Sequence, residues 1–212
     1  MLTAKFNLTL RRAVLAALLA GSSSLALADP LGYHVEIDTS AFSGAGFLDF
    51  AFIAGNSPAP GASATLSNFS GAFGALESQE GNVSGSVPGS LTFGNSGAYN
   101  DWFHNVTLGG KFAFNIVFGG EFLNTAGNAG TTFGVGLLDA SGTAYLGNVN
   151  GNLLQFELTP LNGGVPASIA GSTYANIASI SAVPEASEWL MLTGGLALIG
   201  FALRRRQPVM PA

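Results

Sequence analysis

The sequence predicts an all-β fold, an antiparallel β-sandwich or jelly-roll-like domain, and three observations lead there. Short runs alternate apolar and polar residues with period two, as half-buried strands do. Clusters of Gly, Ser, Asn, Asp and Pro separate these runs. Between residues 29 and 183 no run carries the 3.6-residue period of an amphipathic helix. The 212-residue chain has no cysteine, so the domain must hold together on its core alone. Fourteen of its sixteen phenylalanines fall inside 29–183, which supplies that core and argues against disorder.

In chain order, Tyr33, Val35 and Ile37 alternate with His34, Glu36 and Asp38, a strand with one buried face. Ser43-Gly44-Ala45-Gly46 turns the chain into Phe47–Ile53, whose more uniform apolarity is that of a central strand. Residues 56–64 read as an exposed loop, and strands are predicted at 64–69, 83–93 and 101–108. After Gly109-Gly110, Phe112, Phe114, Ile116 and Phe118 alternate with Ala113, Asn115 and Val117. Gly119-Gly120 ends that strand, and further strands are predicted at 131–138, 143–149, 153–158 and 173–182. Asp139-Ala140-Ser141-Gly142 is the turn of a hairpin between Phe133–Leu138 and Thr143–Leu146. No fixed-period repeat is present, which excludes a solenoid.

Both ends of the chain are of another kind. In residues 1–28, Lys5, Arg11 and Arg12 precede the apolar run Ala13–Ala20, and Ala26-Leu27-Ala28 is an A-x-A cleavage site, together a secretory signal peptide. Nothing around Arg11-Arg12 strengthens a twin-arginine reading, so general secretion is expected. Near the other end, Trp189–Leu203 runs 15 residues without a charge. As a helix it spans about 23 Å against a bilayer core of about 30 Å. Trp189 at one interface and Arg204, Arg205 and Arg206 snorkelling at the other help it reach across, with the C-terminal end in the cytoplasm. A helix apolar on every side and abutting three arginines fits a soluble domain poorly. The chain thus divides into a signal peptide (1–28), a β-sandwich (29–182) and a C-terminal segment (183–212).

That C-terminal segment resembles the PEP-CTERM sorting signal of exported proteins from exopolysaccharide-producing Gram-negative bacteria. The matching residues are Val183, Pro184, Glu185 and Ala186, then Trp189–Leu203 and Arg204–Arg206; Ala186 stands where the motif has its second proline. The resemblance implies an exosortase-like protease as a partner in transit and a temporary inner-membrane anchor cut near Pro184-Glu185. A second resemblance covers residues 33–52 and 64–71. It is to a group of PEP-CTERM proteins built on an extracellular β-domain, in which a strand ending in D/N-T-S leads through a glycine-containing loop into L-D-F. Here those residues are Asp38, Thr39, Ser40, Leu48, Asp49 and Phe50. It implies fold and location only.

Charge narrows the function further. Residues 29–183 hold ten acids against one base, Lys111, a net charge of −9. Nucleic acid needs a basic surface, which is absent. The acidic balance suits a solvated surface protein and attracts cations. Asp38 and Asp49 flank one loop, and their oxygens are a candidate Ca²⁺ site, the one cofactor the sequence suggests. The competing reading has Asp38 capping the turn. Tyr99, Asp101 and Trp102 form a candidate sugar-binding cluster in which aromatics stack on rings and the acid bonds hydroxyls. Against that, Trp102 also suits a core position.

The chain has no Gly-x-Ser-x-Gly elbow, His-Glu-x-x-His, cysteine nucleophile or P-loop, so no catalytic residue is assigned. The sequence leads to a non-enzymatic, exported cell-surface or matrix protein with a structural or adhesive role. The alternative is a carbohydrate-binding module, Ca²⁺-assisted, that contacts exopolysaccharide. Passage through the Sec translocon, periplasmic residence on the inner membrane and release after processing follow from the two end segments.

Overall fold

Burying every second side chain of a strand on one side commits that side to a partner layer, and here the partner is a second sheet. The computed structural model describes residues 31–56, 59–183 and 193–197. The predicted signal peptide with Ala26 and Ala28, the motif residues Pro184, Glu185 and Ala186, and Arg204–Arg206 lie outside the described residues. Of the predicted 189–203 helix only residues 193–197 are described, and they are helical. Among the described residues no helix is long and apolar enough to cross a membrane.

The described strands are β1 (Gly32–Asp38), β2 (Gly44–Ala54), β3 (Ser63–Ser70), β4 (Phe73–Glu80), β5 (Val83–Gly85), β6 (Leu91–Gly94), β7 (Tyr99–Leu108), β8 (Lys111–Gly119), β9 (Thr131–Asp139), β10 (Leu154–Thr159), β11 (Ser168–Thr173) and β12 (Ala178–Ala182). They form two six-stranded sheets. The first runs β12-β1-β8-β3-β6-β5 and the second β11-β10-β9-β2-β7-β4. Every ladder between them is antiparallel. The chain changes sheet at most connections, so the all-β, two-layer expectation holds.

The core is an aromatic seam between the sheets. From the first sheet come Val35, Ile37, Phe93, Phe112, Phe114, Ile116 and Phe118; from the second, Leu48, Phe50, Phe52, Phe133, Val135 and Phe156. Rings meet across the gap at 5.5 Å (Phe50 and Phe114), 5.7 Å (Phe93 and Phe133) and 5.0 Å (Phe118 and Phe156). Phe133 touches three rings, those of Phe52, Phe93 and Phe118. Edge-to-face pairs of this kind add about 1 kcal/mol beyond the area they bury.

Buried polar side chains stitch the loops to this core. Thr39 donates to the Gly110 carbonyl at 2.7 Å and accepts from the N–H groups of Gly109 and Gly110. Asn95 accepts from the Ala62 N–H at 2.8 Å and donates to the Pro60 carbonyl and to the Thr131 hydroxyl. Asn100 accepts from the Asn82 N–H and donates to the Phe52 carbonyl. Each replaces water for a backbone group that the sandwich would otherwise strand.

Three expectations are corrected. Residues 143–149 do not form a strand: after the turn at Asp139–Gly142, Leu138 and Tyr145 make a single bridge. The segment then crosses the outside of the second sheet instead of pairing along it. Residues 83–93 are two short strands, β5 and β6, joined by a turn. The strands β4 and β11 were not expected at all. Both lie at the margin of the second sheet, and β4 is exposed along nearly its whole length. A strand with neither face buried carries no period-two signal.

Because Phe133 has no solvent exposure and three ring partners, Phe133→Ala should cost about 3–5 kcal/mol. Ser179→Ala on the exposed side of β12 should stay within about 0.5 kcal/mol. Denaturant midpoints at fixed pH test this, and equal effects of the two changes would refute the seam as the main source of stability.

Candidate functional site

The register that sends Leu48, Phe50 and Phe52 inward sends Phe47, Asp49, Ala51 and Ile53 to the outer face of the second sheet. On the neighbouring β7, Trp102, Val106 and Leu108 join the core, while Tyr99, Asp101, Phe103 and Asn105 face out. Asp49 stands opposite Phe103, and Asp101 stands opposite Ala51. Asp49 and Asp101 are therefore diagonal neighbours, about 7 Å apart along the backbone, close enough for their carboxyls to meet.

On the other side of β2, Asp49 stands opposite Gly136 and Ala51 opposite Gly134. At both positions a side chain would press on the segment that lies over the sheet. A Cβ on Gly134 would lie 2.2 Å from Asn152 Nδ2, and one on Gly136 would lie 3.3 Å from the Tyr145 ring. Segment 140–153 uses the space they leave to lie against the sheet beside Asp49. Asp101 is 8% exposed.

The consequence is electrostatic. Burial, together with the hydrogen bond and charge of Asp101, pushes Asp49 up to about 8, far above the ordinary carboxylate range. Asp49 therefore keeps its proton through mid-range pH. Tyr99, bonded to Asp101, is also raised, by burial first and then by the charges of Asp101 and Asp49. One oxygen of each carboxyl, Asp49 Oδ1 and Asp101 Oδ1, is buried without a hydrogen-bond donor.

Beyond Asn152 the face continues into an open depression of about 390 Å³ lined by Asn148, Asn150, Gly151, Asn152, Gln155 and Tyr174. Asn148 donates to the Asn152 carbonyl at 2.6 Å, which fixes the rim. Tyr174 is 54% exposed. Next to it, Glu157 accepts from Gln155 and from Thr132. The whole surface carries amides, phenols and carboxylates and no basic side chain.

The site residues expected from sequence are thus redistributed. Tyr99 and Asp101 do share one face, but Trp102 does not share it with them. It is 3% exposed in the core, and its indole N–H donates to His104 Nδ1 at 3.2 Å. Trp102 is not a stacking platform for a sugar. His104 is held neutral, its pKa lowered by burial, and it bonds the Gly74 backbone. Asp38 and Asp49 are not brought together either. Asp38 ends β1 in the first sheet and accepts from the Ser40 N–H at 2.9 Å, a turn cap. Asp49 lies on the far side of the sandwich, and its partner is Asp101. Nothing in the sequence spacing links residues 49 and 101; only strand pairing does.

Among the described residues no three His, Asp or Glu side chains converge on one point. No family model, curated protein or solved structure matches the chain.

A carboxyl whose folded pKa is raised stabilises the fold most below its unfolded value and loses that contribution as pH rises. For Asp49 the window runs from about 4 to about 8, at up to about 1.4 kcal/mol per pH unit. Facing it are Asp101 and Tyr99 on β7 and Tyr145 on the covering segment, with Glu80 on β4 acting on Tyr99; β9 presents only glycine there. In chelator, Tm should fall across that window for the wild type and much less for Asp49→Asn. Parallel profiles for the two proteins would refute the assignment.

Proposed function

We propose that this chain is an exported, non-enzymatic protein of the cell surface or extracellular matrix, and that it adheres to polysaccharide through the outer face of its second sheet. The observation that carries the glycan contact is the amide-lined depression with Tyr174 exposed at its edge. Side-chain amides and carboxylates bond hydroxyls in either direction, and an exposed phenol ring offers an apolar face to a sugar. The absence of a basic side chain on this face favours neutral sugars over anionic ones.

Export and sorting rest on the end segments. In this reading Ala26-Leu27-Ala28 marks signal-peptide cleavage after Sec transport, Trp189–Leu203 anchors the chain in the inner membrane, and Arg204–Arg206 keep its end in the cytoplasm. An exosortase-like protease then acts at Val183-Pro184-Glu185-Ala186. The domain itself is read as a jelly roll, with β1-β8-β3-β6 facing β2-β7-β4 and the strands β9 to β12 added at one edge.

Two measurements test these halves separately. Intact mass of the protein from its native host should place the mature start at Asp29 and the end near Pro184; a full-length mass would sink the sorting reading. In affinity electrophoresis through neutral polysaccharides, the wild type should be retarded. Tyr174→Ala should weaken this about fivefold, the equivalent of about 1 kcal/mol, with Tm unchanged. A wild type that runs free through every polysaccharide would remove the adhesive role.

A further inference from the structure

The two ends of the domain leave it side by side. β12 and β1 pair antiparallel at one margin of the first sheet, with Tyr33 opposite Ala182. The Val183 N–H donates to the Gly32 carbonyl at 2.9 Å, and the Phe118 N–H to the Leu31 carbonyl at 2.8 Å. The chain thus enters and leaves the sandwich through one pole. Hydrogen bonds extend that pole to the second sheet. Ser63 stands opposite Gly119, the neighbouring Ala62 N–H donates to Asn95, and Asn95 donates to Thr131, the first residue of β9.

The amide-lined depression lies toward the other pole. β9 runs from Thr131 at the near pole to Asp139 at the far one, and Leu154 meets it halfway, opposite Val135. The turn that carries Asn148 and Asn150 lies beyond that midpoint. Before it, the Leu146 N–H donates to Leu137, and a Cβ on Gly147 would lie 2.5 Å from Ile177. The Ile177 carbonyl accepts from the N–H of Asp38, the last residue of β1. Tyr174 belongs to the connection that enters β12 at Ala178, opposite Ile37, at that same far end.

We propose that the pole formed by Gly32 and Val183 is the membrane-facing surface of the anchored chain, and that the depression is held out on the side away from the bilayer. This rests on Trp189–Leu203 acting as the anchor. Covalent reach makes the arrangement one-sided. The eight steps of β9 raise the far pole about 26 Å above the near one. Trp189 is six residues past Val183, a reach of about 20 Å even when fully extended. An inverted domain would hold Val183 farther from the bilayer than that tether allows. The signal peptide predicted to end at Ala28, four residues before Gly32, holds the same pole during export. The domain's excess of acids disfavours lying flat on an anionic leaflet. Polysaccharide outside the membrane then meets the depression first.

The chain has no cysteine, so a single introduced one can be labelled alone. Val149→Cys marks the far pole. Val165→Cys marks the near one, in the connection after β10 where the Leu161 N–H donates to Phe122 and the Phe122 N–H to Gly61. The two side chains are 84% and 67% exposed, so neither change disturbs the core. Each full-length variant, carrying one small donor dye, is reconstituted into vesicles of phosphatidylcholine and phosphatidylglycerol with an acceptor dye on the lipid headgroup. The labels differ in height by about 20 Å along the strands, so energy transfer should be several-fold stronger from Val165→Cys than from Val149→Cys. Equal transfer, or stronger transfer from Val149→Cys, in protein that floats with the vesicles overturns the orientation and leaves the anchor standing. Protein that does not float with the vesicles removes the anchor and the orientation with it.

Discussion

Two sheets that share one phenylalanine seam must keep register with it, and that constraint decides what appears on the outside. A strand slipped by one residue would turn its whole inner set to solvent. Phe50, Phe52, Phe114, Phe118 and Phe133 have almost no solvent exposure, so the seam fixes the phase of β2, β8 and β9 without tolerance. With β2 and β7 both phased by their inner residues, Asp49 and Asp101 have no freedom to be anywhere but side by side. The carboxyl pair is a consequence of core packing, written on the opposite face.

Burying two carboxyls side by side works against the fold, and the local packing shows what surrounds them. The glycines at 134 and 136 remove two side chains, and segment 140–153 lies down into the space. The same segment was expected to extend a hairpin. Its turn does form, with Asp139 accepting from the Ser141, Thr143 and Ala144 N–H groups, but the strand after it does not. Leu137 accepts from the Leu146 N–H, and the chain then leaves the ladder so that Leu153 can be buried. Burying apolar side chains beside β9 outweighs the backbone bonds that a longer hairpin would have made.

What the sequence made legible follows from this balance. Strands with one buried face, such as β1 and β8, announce themselves by alternation, and β2 by its apolar run. The margin strands β4 and β11 bury little and so leave no pattern. Tyr99, Asp101 and Asp49 were each visible as candidates, but in two separate clusters. Proximity in sequence suggested Trp102 for the first and Asp38 for the second. Neighbours along a strand point to opposite faces, which removes Trp102, and a loop joining two sheets separates its flanks, which removes Asp38. Cross-strand pairing, which no spacing rule encodes, joins what remains.

The scarcity of basic residues sharpens the point. With Lys111 committed to Glu36, four other acids take hydroxyl and amide donors instead. Asp38 has Ser40, Asp139 has Ser141 and the N–H groups of its own turn, Glu77 has Asn105, and Glu157 has Gln155 and Thr132. Hydrogen bonds from Ser40 and Ser141 hold the first two carboxyls below their usual range. These partners are cheap for an exposed carboxylate, because water completes the shell. Asp101 is covered and is bonded by Tyr99, and Asp49 keeps its own proton because burial raises its pKa. A domain with almost no basic side chain thus steadies exposed acids with hydroxyls and amides and its half-buried one by leaving it protonated.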